Sequence, residues 1–112
     1  MKFTLGIEEE FQVIDPVTRE LASRGKHFVE RGEALLPDQV KAELHESQVE
    51  VGTKICADVS EAEQEVKMLR QSLVDMANEF DLAIGAAATH PISSWVNQQI
   101  TSNPRYDEII LE

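Results

Sequence analysis

The sequence predicts an α+β fold, an antiparallel sheet with one long helix packed against it. Residues 4–13 (TLGIEEEFQV) and 40–53 (VKAELHESQVEVGT) both alternate with the two-residue period of a strand. Between Ala62 and Phe80, apolar residues recur at three- and four-residue spacing, the period of a helix. A length of 112 residues suits one domain with a modest core.

The first strand organises the chain. Leu5, Ile7, Phe11 and Val13 share one face with Glu9, and the other face carries Gly6, Glu8, Glu10 and Gln12. Two carboxylates one strand repeat apart repel each other unless a cation lies between them. A solvated sheet face is the plain alternative.

The strand ends at Asp15-Pro16, a turn-starting pair, and Glu20-Leu21-Ala22 is expected to return as a short antiparallel partner. Residues 23–37 carry Phe28, Val29, Leu35 and Leu36 between Gly25, Gly32 and Pro37, which fits a short helix or an irregular excursion. His27 stands alone there, as a surface or packed residue.

Read as one strand, residues 40–53 place Leu44, Glu46, Gln48, Glu50 and Gly52 on one face. The row of Glu46, Gln48 and Glu50 then matches that of Glu8, Glu10 and Gln12. Were the two strands neighbours, four carboxylates would share one surface, which a free sheet should avoid. Hard divalent cations take oxygen ligands, and Mg²⁺ commonly uses one or two carboxylates together with substrate phosphates. The pattern thus points to a Mg-nucleotide site on a sheet face, with an exposed acidic sheet as the alternative.

Ser60 and Glu63 have capping-box spacing at the start of the long helix, and Glu63 with Lys67 forms an i, i+4 pair. The stripe of Ala62, Val66, Leu69, Leu73, Met76, Ala77 and Phe80 reads as core. The small apolar run 82–89 (LAIGAAAT) reads as a buried strand, with His90-Pro91 at its end. His90 fits a site residue or a structural histidine equally well. Pro104-Arg105-Tyr106 opens a further helical pattern. It stops at Glu112 after barely two turns, so the chain is expected to be the N-terminal part of something longer.

Composition limits the partners. The hydrophobic fraction of 42% is globular, and a formal net charge of -11 argues against nucleic acid or an anionic membrane surface. There is a single cysteine, Cys56, and so no internal disulfide. No run has signal-peptide or membrane-span length, which leads to an expected cytoplasmic location. Exposed sheet edges would favour self-association into a homo-oligomer.

Taken in order, GIEEEF, DPVTREL, ELHESQVEVGT, a long helix, ATHP and PRY resemble the carboxylate-amine ligase family, in its type 2 glutamate-cysteine ligase group with YbdK-like members. The resemblance spans essentially all of residues 1–112, as the N-terminal part of a single catalytic domain. It implies a fold like the catalytic domain of glutamine synthetase. It also implies ATP-dependent joining of an amino-acid carboxylate to an amine, glutamate to cysteine, through an acyl phosphate, with Mg²⁺ or Mn²⁺ and ATP. By the same resemblance Glu8, Glu10 and Glu50 become metal ligands, with Glu46 beside them. Gln48, His90 and Arg105 become substrate contacts, His90 and Arg105 to a carboxylate or phosphate; no catalytic residue is assigned. Such an N-terminal piece alone is expected to be inactive. Two other functions fit the acidic faces: a non-catalytic metal or small-molecule binding module on the same fold, and a metal-dependent hydrolase. Nucleotide dependence separates the three. Cys56 has no paired His or Cys and is set aside.

Overall fold

The computed structural model describes residues 2–111, with side chains through Ile110; Glu112, where the last sequence pattern stops, lies outside them. Four strands, β1 (Glu8–Ile14), β2 (Val40–Ala42), β3 (Gln48–Gly52) and β4 (Ala83–Gly85), form one antiparallel sheet in the order β2-β3-β1-β4. Three α-helices accompany it: α1 (Gly25–Leu35), α2 (Val59–Glu79) and α3 (Pro104–Leu111). No described helix is long and apolar enough to cross a membrane.

The α+β expectation holds, and the apolar parity of the strands builds the core. Phe11 and Val13 of β1, Val40 of β2, and Val49 and Val51 of β3 are buried together with Phe28 of α1 and Leu69, Leu73, Met76 and Ala77 of α2. The α2 stripe runs as its spacing predicts, although Val66 and Phe80 are only partly buried. The two helices approach through aromatic contact, since the rings of Phe28 and Phe80 meet edge to face at 5.4 Å. His27 packs on the same Phe80 ring at 5.7 Å, a packed residue as expected. Residues 23–37 resolve in favour of a helix. Gly32 lets it lie close on the sheet, because a Cβ there would come within 2.5 Å of the Val40 Cβ.

The helix start differs from the sequence reading. Two overlapping capping boxes are present, and the earlier one is used. Asp58 Oδ1 accepts the Glu61 N–H at 2.9 Å, and Glu61 Oε2 accepts the Ala57 N–H at 2.7 Å. That choice starts the helix at Val59 and leaves Ser60 inside it. Glu63 and Lys67 do pair, at 2.8 Å.

The strands are also shorter than the alternation suggests. β1 begins at Glu8, and upstream the pairing thins to a bridge between Leu5 and Cys56 and to hydrogen bonds between Ile7 and Thr53. Residues 82–89 yield only three strand residues, half-buried at the sheet edge, with 86–89 exposed. The expected return after Asp15 occurs as one bridge between Ile14 and Leu21. Asp15 Oδ1 caps its turn by accepting the Val17 and Thr18 N–H groups. Residues 40–53 are not one strand: β2 and β3 pair with each other, Lys41 opposite Glu50 and Ala42 opposite Val49.

Candidate functional site

The face of the sheet away from the core is acidic because of strand parity and register. Glu10 lies opposite Glu50 across β1 and β3, Gln12 opposite Gln48, and Glu8 opposite Gly52. The core positions Phe11 and Val49 form the pair between the first two, so the intervening residues turn their side chains outward. Glu9, between Glu8 and Glu10, turns the other way. Arg70 of α2 donates to both its carboxylate oxygens, from Nε at 2.9 Å and Nη2 at 2.6 Å. One acid of the EEE run is therefore neutralised by the helix, while its neighbours face outward without that partner.

The expected strands are neighbours, but the fourth carboxylate is not the one expected. Glu46 occupies the turn between β2 and β3, where its backbone carbonyl accepts the Gly25 N–H and its N–H bonds to Gln99. Its side chain lines a separate hollow beside Lys26 and Val29. Glu43 takes the place on the acidic face. It follows Lys41 by one strand repeat, and Lys41 stands opposite Glu50. Parity counted straight from 53 back to 40 misassigns both residues, because the chain reverses between them.

The electrostatics of the row agree with this placement. Glu10 binds its proton more tightly than an ordinary carboxylate, first through a side-chain hydrogen bond with Glu43, then through burial and the charges of Glu43, Glu50 and Glu8. Glu50 is raised too, chiefly by burial, then by a hydrogen bond with Glu8 and the charges of Glu8 and Glu43, with Lys41 working against the rise. The four carboxylates thus influence one another, Glu10 most through Glu43, and Glu50, after its burial, most through Glu8. Among the described residues, no three His, Cys, Asp or Glu side chains converge on one metal-seating point. The side chains of this row are all oxygen donors and mutually repelled, the donor chemistry that hard divalent cations take.

Of the expected substrate contacts, Gln48 and His90 border one hollow next to this row, and Arg105 does not. His90 is bound through both ring nitrogens. Nε2 donates to the Arg19 carbonyl at 2.8 Å, and Nδ1 accepts the Ile92 and Ser93 N–H groups. Ser93 Oγ in turn accepts the Leu21 N–H. The imidazole therefore ties the loop after β4 to the turn after β1, and its structural side is realised. Arg105 is exposed on the first turn of α3, its N–H capped by Asn103 Oδ1.

A model of glutamate-cysteine ligase family 2 matches residues 4–111. The chain belongs to that family. Its family relatives include a protein of Roseiflexus castenholzii named "Putative glutamate--cysteine ligase 2", 50% identical over 98% of this chain and 29% of its own length. Proteins of the same name from Chloroflexus aurantiacus and Herpetosiphon aurantiacus are 48% and 47% identical over 98% of this chain. The chain spans 28–29% of the length of these family relatives.

Proposed function

We propose that this chain supplies the metal-holding face of an ATP-dependent carboxylate-amine ligase, one that joins glutamate to cysteine through an acyl phosphate. The observation that carries the reading is the register that sets Glu10 against Glu50 and brings Glu8 and Glu43 beside them. Membership of a ligase family and the names of the relatives support the reaction type. A glutamine-synthetase-like fold for the longer catalytic domain belongs to the same proposal.

Glu8, Glu10, Glu43 and Glu50 would hold Mg²⁺. When bound, Mg²⁺ would neutralise the charge on ATP phosphates and on the group being transferred. The protein's own part is to keep these carboxylates in place before substrate arrives. The buried Phe11, Val13, Val49 and Val51 anchor the other side of the same strands, so the donors are carried on rigid elements. Lys41 beside Glu50 limits the repulsion while no cation is bound. Gln48 lies one strand repeat from Glu50, within reach of a substrate at the row. Arg105 remains a candidate for a substrate carboxylate or phosphate, on the chemistry of its guanidinium. A cytoplasmic location is part of the proposal and rests on the single cysteine. Homo-oligomer formation rests on the edge strands β2 and β4.

The test is amino-acid-dependent ADP release with Mg²⁺, measured on a protein of the relatives' full length that contains this chain. Glutamate with cysteine should drive release, and Glu8→Gln and Glu50→Gln should each reduce it about 100-fold or more, the scale of a lost electrostatic contact in the transition state. Folded protein that turns over no nucleotide with any amino-acid pair would leave a binding module on the same fold. Turnover without ATP would point to a hydrolase.

A further inference from the structure

One line across three strands reads Lys41, Glu50, Glu10, because Lys41 of β2 stands opposite Glu50 and Glu50 stands opposite Glu10. A cation thus flanks the acidic row. Lys41 is exposed on the outward face, since its strand neighbour Val40 is buried in the core. Its charge reaches Glu50, where it holds back the rise in proton affinity. Yet its ammonium is not closed onto a carboxylate. The ion pairs among the described residues join Arg31 to Glu79, Lys67 to Glu63 and Arg70 to Glu9, and Lys41 is in none of them. Arg70 is committed to an acid on the core side of β1, whereas Lys41 keeps its donors for another acceptor.

Lys41 also borders a hollow of about 350 Å³ at the Glu8 end of the row, with Glu8, Asp38, Gly52 and Thr53 on its walls. The charges there disfavour each simple ion and favour a combination. A bare divalent cation is drawn by Glu8 and Glu50 and repelled by Lys41. A bare phosphate is drawn by Lys41 and repelled by Glu8, Glu50 and Asp38. A cation that carries a phosphate satisfies both sides, since the metal takes carboxylate and phosphate oxygens together and the ammonium takes a further phosphate oxygen. Lysine suits that task as a compact charge with three donors on a flexible stem.

We propose that Lys41 is a phosphate-contacting residue of the ligase site, and that it makes cation binding on the acidic row depend on the nucleotide. The inference rests on the ligase reading for the nucleotide and for the metal on the row. It adds to that reading a residue whose parity becomes visible only once β2 is paired with β3.

The test is calorimetric titration, without turnover, of a protein of the relatives' full length that contains this chain. The two ligands are Mn²⁺ alone and a preformed complex of Mn²⁺ with a non-hydrolysable ATP analogue. Lys41→Met should bind bare Mn²⁺ about twofold or more tightly, the scale of one screened unit charge removed. The same variant should bind the preformed complex about fivefold or more weakly, as a lost charge-assisted contact to phosphate does. Lys41→Arg, which keeps the charge, should stay close to the parent protein in both titrations. A lysine with a merely structural role would move both affinities the same way. Glu50→Gln, which should weaken both ligands, identifies the row as the site being titrated. The proposal is overturned if Lys41→Met shifts both affinities in one direction or neither, while Glu50→Gln weakens both. If Glu50→Gln leaves both intact, or the parent protein binds neither ligand, the metal face of the ligase reading fails and this proposal falls with it.

Discussion

The two sides of β1 solve opposite problems with adjacent residues. On the helix side, Phe11 and Val13 disappear into the core, and Glu9, which shares their parity, is met by a forked pair with Arg70. On the other side, Glu8 and Glu10 are set against Glu50 and Glu43, and acid faces acid. The helix side lowers the free energy of the fold. The acidic side raises it, a repulsion that the proposed cation would relieve. Local instability of this kind is expected where function overrides packing.

That contrast can be broken from either side. The largest effect belongs to the core: Leu73→Ala, at a fully buried position, should cost about 2–5 kcal/mol in urea unfolding. Next, Glu9→Gln removes the pair with Arg70 and should lower the urea midpoint by much less than the core change, since the arginine is more than half exposed at 56% and water screens the pair. Arg70→Gln should add little on top of Glu9→Gln, and full additivity in that double-mutant cycle would show that the pair contributes nothing.

The smallest effect has the opposite sign. In buffer without divalent cations, Glu10→Gln should stabilise the chain at neutral pH by about 0.5 kcal/mol, the scale of exposed charge pairs. Its pH dependence follows from the raised proton affinity of Glu10 and Glu50. Above the ordinary carboxylate value of 4.5, the folded chain holds protons that the unfolded chain has lost. Stability should therefore fall as pH rises from 4.5 through the raised values of these two groups, and level off beyond them. Urea midpoints taken across that range should show a shallower fall in Glu10→Gln. A fall of unchanged depth would mean that the outward carboxylates do not interact.

Much of this was legible in the sequence, and the failures share a cause. Period-two alternation identified β1 and β3, the faces of Glu8, Glu10 and Glu50, and the apolar partners beneath them. Period-3.6 spacing identified α2. Each of these rests on side chains whose environment is set by local geometry. What failed was continuity. Nothing in Glu43-Leu44-His45-Glu46-Ser47 signals a reversal, because the segment has no Gly or Pro. Its path is bent by distant partners, with His45 bridging to Ile100 and the Thr101 N–H bonding to Leu44. An unbroken parity count favours Glu46 over Glu43 for that reason alone. Stopping the parity count at the end of each strand would have found Glu43. Gln12 was visible on the right face, but its near-complete burial opposite Gln48 is a property of the assembled sheet. His90 likewise needed the turn at Arg19 in place before its two bonds could be seen.

The alternation in β1 also governs which changes in chain length the gene can absorb. β1 is an interior strand, paired with β3 on one side and β4 on the other. Deleting or inserting a single codon within it would exchange the faces downstream of the change, turning outward carboxylates or amides into the core and Phe11 or Val13 into water. Two codons together would restore the parity. Single-codon insertions and deletions should thus be purged from this stretch more strictly than most of its substitutions, while the turn at 15–19 has no such parity to protect.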